Sequence, residues 1–313
     1  MARQIALAKL QRNIETVIKG KSDVIRQALM ALLSRGHLLI EDVPGVGKTT
    51  LAHLLATSIS CSFSRIQFTS DLLPSDILGV TIYRAATGEF EFQRGPIFAN
   101  VVLADEINRT TPKTQSALLE AMNSAQVSIE KQTHDLPKPF MVIATQNPVE
   151  FHGTFPLPKS QMDRFLMRLH MGYPELADEV TVLREQRVVG DLGSLEPVVT
   201  AEEVFTMQDE VTRVRLEDDL LDYIARVAAA TRESTLIELG VSTRGALALR
   251  AAAQARAYLE GRDYCVPDDI KEMILPVLAH RIQVAKTFEL SGMNRHEDES
   301  VLLQVVDSVE VPI

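Results

Sequence analysis

The sequence has little of what would tie it to several large protein classes. Only two cysteines occur, Cys61 and Cys265, far apart and without Cys-x-x-Cys spacing. They read as reduced residues of a cytosolic protein rather than a disulfide framework. Basic residues are not in excess: 32 Lys and Arg face 42 Asp and Glu, a net charge of −10. A strongly basic nucleic-acid footprint is therefore missing, although a local basic pore stays open, and no nucleic-acid partner is expected. The seven histidines are scattered and show no metal-ligand spacing. No apolar run approaches the roughly 20 residues needed to span a bilayer, so no membrane insertion is expected. The opening residues, Met1-Ala2-Arg3-Gln4-Ile5, lead into a charged amphipathic helix with no signal-peptide core, and the expected location is the cytoplasm. Internal repeats and low-complexity segments are not evident.

What is present is a chain of 313 residues, 46% hydrophobic, enough for two domains or for one α/β domain with a helical addition. Its most informative stretch is Glu41-Asp42-Val43-Pro44-Gly45-Val46-Gly47-Lys48-Thr49, followed by Thr50. An apolar run, Leu38-Leu39-Ile40, precedes it and an apolar-periodic segment starts at Leu51, so the order is strand, glycine loop, helix. That context suits a phosphate-binding loop. Gly45 and Gly47 let backbone N–H groups turn inward around an anion, toward the positive end of the following helix. Lys48 then meets the outer phosphates and the Thr49 hydroxyl is a candidate Mg²⁺ ligand. Asp42 stands where the usual pattern has glycine. A carboxylate facing phosphates would repel them, so its side chain is expected to point elsewhere.

Along the chain, apolar spacing predicts helices over about 4–16 and 22–34, the second with Ser22 as N-cap, then a strand at 37–41. Arg65-Ile66-Gln67-Phe68 reads as a second strand. Thr81 to Arg84 and Glu89 to Phe92 alternate with period two around Ala-Thr-Gly, a hairpin signal, and a second hairpin is expected from Val127 with its tip at Lys131 to Pro137. Val101-Val102-Leu103-Ala104 and Phe140 to Ala144 are apolar enough for strands covered on both faces. A helix from Pro112 to Asn123 lies between them, and a last strand is expected at about 165–170. Strands alternating with helices argue for a parallel sheet. From about 178 to 288 the pattern turns helical, with breaks at Gly190–Pro197, Gly240 and Gly261–Pro267, and the tail from Ser291, acidic and then apolar over Val301–Val311, carries no assignment.

Two carboxylates, Asp105 and Glu106, end the buried run at 101–104. Ligands of open α/β sheets sit at the carboxyl ends of strands. Asp105 can hold Mg²⁺, and Glu106 can polarise a water for in-line attack on a γ-phosphate. Asn147 ends the neighbouring strand, where its amide can orient that water. Taken alone, Asn147-Pro148 also fits a simple turn.

These stretches, with Val102 to Arg109, Ala144 to Pro148 and Met162-Asp163-Arg164-Phe165, resemble an AAA+ ATPase. Phe68 to Asp76, and Gly88-Glu89-Phe90 through Gly95-Pro96, are similar to its MoxR branch, whose loop often begins Glu-Asp-x-Pro-Gly. The resemblance spans about residues 10–290. It implies a P-loop α/β domain over 1–174, with hairpin insertions at about 80–93 and 126–139, a small helical lid over 175–290, and a tail at 291–313 without assignment. It further implies ATP/ADP and Mg²⁺ as ligands. Asn147 becomes the first sensor, Arg164 an arginine finger for an adjacent subunit and Arg244 a second sensor on the lid. Its context Ser-Thr-Arg departs from the more usual Ser-Pro-Arg. Val17 and Ile18 resemble the segment that packs on adenine, with Lys21 where Gln often stands. Read locally, Arg164 pairs with Asp163, Arg244 is a solvated surface residue, and Val17 and Ile18 are core. The family implies a homo-oligomeric ring, expected to be hexameric, that acts as a chaperone-like remodeller on a protein client or a von Willebrand A domain partner. A metal-chelatase ATPase subunit is the alternative, followed by a nucleic-acid-remodelling machine and a small-molecule kinase.

Overall fold

The computed structural model describes residues 2–129, 132–147, 154–185, 195–285 and 297–312. Pro148, Lys131 at the expected hairpin tip, the break at Gly190 and the tail from Ser291 to residue 296 lie outside them. In chain order the elements are α1 (Ala2–Glu15), α2 (Ser22–Leu33), β1 (Leu38–Glu41), α3 (Lys48–Ser58), β2 (Phe63–Gln67), α4 (Pro74–Leu78), β3 (Gly79–Arg84), β4 (Glu89–Arg94), β5 (Val101–Asp105), α5 (Pro112–Ser124), β6 (Gln126–Ile129), β7 (Gln132–Asp135), β8 (Met141–Gln146), α6 (Lys159–Met162), β9 (Met167–Leu169) and α7 (Leu176–Glu185). There follow α8 (Ala201–Thr212), α9 (Asp218–Glu233), β10 (Ile237–Leu239), α10 (Thr243–Leu259), α11 (Pro267–Leu278), β11 (Gln283–Val284) and α12 (Glu297–Val306). The chain forms two compact units. One comprises Met1–Arg26, His37–Leu157 and Leu169–Phe205, the other Gln27–Gly36, Pro158–Arg168 and Thr206–Ile313.

A five-stranded sheet runs in the order β2-β5-β8-β1-β9. The pairs β2–β5, β5–β8 and β1–β8 are parallel. Every residue of β5 is buried, as are five of the six of β8, which is why both read as continuous apolar runs. In the first unit α3 packs on β2, β5 and α1. Non-consecutive neighbours in the sheet require crossover connections, so β1, β5 and β8 send their carboxyl ends to one edge. The register levels those ends: Ala104 pairs with Ala144, which pairs with Leu39, and Glu41 pairs with Gln146.

Both expected hairpins form, β3–β4 and β6–β7, but Gln132–Asp135, expected in the tip of the second, is its return strand. They are joined by the Phe92 ring, stacked on His134 with centroids 4.4 Å apart. On the first hairpin Val80, Ile82, Tyr83 and Phe90 are exposed, Phe90 at 76%.

In the second unit α10 packs on α9 and α11, with Tyr223 and Tyr258 in the core. Asp269, fully buried, is bound by Arg256, by Arg262 at 2.6 Å and by the Val266 N–H at 2.8 Å. A carboxylate without water needs that degree of pairing.

Several local expectations are corrected. Ser22 is the first residue of α2 and not the residue before it. Its hydroxyl donates to Glu15 Oε1 at 2.8 Å and accepts from Gln11 at 2.9 Å. The last strand is three residues long, because 163–166 form turns and bends instead. The helical stretch contains the antiparallel pair β10–β11, strands too short to carry a period. Part of the unassigned tail is the helix α12, which buries Leu302, Val305 and Val306.

Candidate functional site

The loop between β1 and α3 holds its shape through two left-handed residues, Gly45 at φ 85° and Gly47 at φ 92°. A Cβ would meet nothing within 4 Å at Gly45 and only Met171 Cε at 3.7 Å from Gly47. The demand for glycine here is conformational, since L side chains rarely adopt these dihedrals. Gly47 is the N-cap of α3 and offers no side-chain cap, so the first-turn N–H groups of Lys48, Thr49 and Thr50 have no capping side chain from that position. Pro44 and Gly45 are exposed, and Val46, Thr49 and Thr50 are half-buried. Lys48 lies folded along the loop, its Nζ donating to Asp42 O at 2.8 Å and Val43 O at 3.2 Å. Burial pulls its pKa below the usual lysine value, against the opposing pull of the Asp42, Asp105 and Glu106 carboxylates.

Asp42 resolves the departure from the loop pattern. Its Oδ2 accepts the Gly172 N–H at 2.7 Å and its Oδ1 accepts the Val43 N–H at 2.9 Å. Both oxygens are occupied by backbone, so the carboxylate serves as an anchor for the loop base.

At the end of β5 the backbone turns sharply, with Glu106 at φ 57° and ψ 49° before a 3-10 turn, Ile107–Arg109. A non-glycine residue in that region is uncommon and costs energy. Three sets of bonds secure it. The Glu106 N–H donates to Thr145 Oγ1 at 2.9 Å, and the Thr145 hydroxyl donates to Asp105 Oδ1 at 2.7 Å. Arg65 grips Asp105 Oδ2 at 2.6 and 3.1 Å. Gln67 Nε2 and Arg109 Nη1 donate to Glu106 Oε2 at 2.8 and 3.1 Å. Beneath the turn, Gln115 Nε2 donates to Ile107 O and Phe155 O at 3.1 and 2.9 Å.

Thr145, Arg65, Gln67 and Gln115 were not singled out by residue type and spacing. A signal existed for three of them. Thr145 is the first polar residue of an apolar strand, and Arg65 and Gln67 are two apart on β2, hence on one face.

The donors fit Mg²⁺ held with substrate phosphates: a hydroxyl on the first turn of α3 and a carboxylate at the end of β5 are hard oxygen ligands. Among the described residues no group of three or more His, Cys, Asp or Glu could make an all-protein cage.

Asn147 follows β8 directly and is buried. Ile18 is buried and Val17 half-buried, in the turn after α1, where both N–H groups bond to Ile14 O. Arg164 and Arg244 belong to the second unit, Arg164 half-buried after α6 and Arg244 exposed in the first turn of α10. The carboxylate of Asp163 binds Arg281 and Ser242.

Comparison with known proteins bears on this arrangement. The family described as "ATPase family associated with various cellular activities (AAA)" matches residues 37–167, and the AAA lid domain matches residues 229–302. The protein YeaC of Bacillus subtilis, itself uncharacterised, is 48% identical over 98% of this chain and 95% of its own. The chaperone MoxR1 of Mycobacterium tuberculosis is 38% identical over 96% of this chain and 80% of its own. The crystal structure of a candidate ATPase from Cytophaga hutchinsonii superposes with a TM-score of 0.90 at 36% identity, covering 99% of this chain and 96% of that one. Among the described residues no helix is long and apolar enough to cross a membrane.

Proposed function

Because the chain belongs to the MoxR family of AAA+ ATPases, we propose that it hydrolyses ATP in a homo-oligomeric ring, hexameric in number, and uses the cycle to remodel or activate a protein client. The observation that carries this reading is the levelled edge of the sheet. The glycine loop after β1, the Asp105-Glu106 pair at the end of β5 and Asn147 after β8 leave the sheet on one edge, within a residue of the same register. Such an edge is where phosphoryl transfer can be surrounded by positioned groups, and that reaction depends mainly on positioning and electrostatics.

In this reading Pro44 to Thr50 wrap the phosphates, and Lys48 exchanges its loop carbonyls for the outer phosphate oxygens. Mg²⁺, held by Thr49 and Asp105, would neutralise charge on the phosphates. Glu106 takes the proton of the attacking water, and Asn147 orients that water. Val17 and Ile18 supply an apolar contact for adenine. Arg244 acts as a second sensor from the lid, and Arg164 reaches the γ-phosphate bound by the neighbour. The client contact belongs to the joined hairpins. Supporting it are the exposed side chains of Val80, Ile82, Tyr83 and Phe90 on a rigid scaffold. A partner bearing a von Willebrand A domain is the client class this reading favours.

The test mixes two inactive variants. Arg164→Ala keeps an intact loop, and Lys48→Ala keeps an intact finger. Mixed rings should recover part of the wild-type turnover, since one interface then pairs a good loop with a good finger. An arginine finger in related reactions contributes about 10³–10⁵ in rate, so the recovered signal stands far above either parent. Mixed rings seen by native mass spectrometry without any recovered turnover would remove Arg164 from the reaction in trans.

A further inference from the structure

Arg164 stands between two cations, Lys159 at the start of α6 and Arg168 in β9. Both reach the same turn of one helix. Lys159 Nζ donates to Asp298 Oδ2 at 3.1 Å, and Arg168 Nη2 donates to Glu299 Oε1 at 2.9 Å. Asp298 and Glu299 lie in the first turn of α12, part of the tail that had no assignment from sequence. Acidic residues suit the positive end of any helix. Two of these also hold partners 139 and 131 residues away, on either side of Arg164.

The helix that carries them is itself seated. It buries Leu302, Val305 and Val306, and packs on α9, α11, β11 and the 3-10 turn Ala279–Arg281. That turn holds the same segment from within. Arg281, 3% exposed, donates from Nε to Asp163 Oδ1 at 2.9 Å and from Nη2 to Phe165 O at 2.6 Å. All of these residues belong to the second unit.

Cations crowd at this place. Burial is the main cause that lowers the pKa of His280, and the charges of Arg281, Arg168 and Lys159 add to the lowering. Those three side chains repel one another unless carboxylates stand beside them. Exposed ion pairs contribute little to stability, but the Arg168 side chain is only 8% exposed. The best-attested use of a buried pair is to fix one geometry.

We propose that Asp298 and Glu299 are positioning residues: α12 straps the segment 158–168 and so aims Arg164 at the neighbour's nucleotide. The C-terminal helix then serves the next subunit's site rather than its own. This rests on the role given above to Arg164.

The test uses full-length protein in the mixing assay, with Arg164→Ala as loop donor and Lys48→Ala as finger donor. The paired change Asp298→Asn with Glu299→Gln keeps size and removes both charges. Added to the finger donor, it should lower recovered turnover about tenfold or more, because small misplacements near the reacting atoms cost up to about 10²-fold. Added to the loop donor, it should leave recovered turnover and ATP affinity at the parental level, since that chain has no arginine at 164 to aim. A charge exchange supplies the rescue. Lys159→Asp in the finger donor sets two carboxylates together and should lose turnover; adding Asp298→Lys rebuilds the pair with its sign reversed and should restore it. Loss in both donors, loss in the loop donor alone, no loss, or an exchange no better than Lys159→Asp overturns the strap. So does a loss that follows failed ring incorporation by native mass spectrometry, because α12 then serves folding alone. A parental mix without recovery instead overturns the trans role of Arg164, and the inference falls with it.

Discussion

Thr145 joins the two acidic residues of the site through one oxygen: its hydroxyl donates to Asp105 Oδ1 at 2.7 Å while accepting the Glu106 N–H at 2.9 Å. Thr145 is 1% exposed, so no water replaces it cheaply. Thr145→Val keeps the shape and removes both bonds. The expected result is a loss of about 1–3 kcal/mol in stability, the usual penalty for stranding buried polar groups, together with slower turnover. Thr145→Ser should behave as wild type. Urea unfolding and steady-state hydrolysis measure both, and a Val variant equal to wild type in both assays would remove Thr145 from the site.

Lys48 now satisfies its ammonium on the carbonyls of Asp42 and Val43, contacts that phosphate oxygens can replace. Lys48→Ala should leave the fold in place and weaken ATP binding by about tenfold to a hundredfold, the scale of one charge-assisted hydrogen bond. Calorimetric titration is the measurement. Equal affinity in the variant would take the loop out of phosphate binding.

Glu106 is held by Gln67 and Arg109 in a left-handed turn. Glu106→Gln preserves size and can still accept from Gln67, but it cannot take a proton. Binding of ATP should persist while turnover drops at least about a hundredfold, as for a lost general base. Single-turnover hydrolysis at near-normal speed would assign the proton to another group.

His37 sets a pH dependence of stability. Its Nδ1 accepts the Val142 N–H at 3.0 Å, so the proton is on Nε2, which bonds to Met122 O at 3.0 Å. Burial lowers its pKa from 6.5 to about 4. Between those values the unfolded chain binds a proton that the folded chain refuses, so stability rises with pH across this window and is lost on acidification. The full effect of this one group is roughly 3 kcal/mol. His280, also buried and lowered well below its ordinary value, has the same sign. Urea midpoints should fall from pH 7 to pH 5, and the His37 ring signals in NMR should stay at their neutral positions. A His37 titration near 6.5 would show that it is not sealed from water.

The order of strand, glycine loop and helix was legible in the sequence, because apolar runs, φ requirements and caps are written in neighbouring residues. Leu38 to Thr49, the buried strands ending at Asp105 and Gln146, and the hairpin around Ala-Thr-Gly all carry their own local signal. The expected turning-away of Asp42 followed from charge alone. What spacing could not state was the identity of distant partners. That Asp42 anchors Gly172, that Arg65 reaches Asp105, and that Asp163 answers to Arg281 across 118 residues are outcomes of packing, where the partner is chosen by which segments the core brings together. The short strands β10 and β11 and the helix α12 also formed there, with too few residues to impose a period of their own and with stability supplied by what they cover.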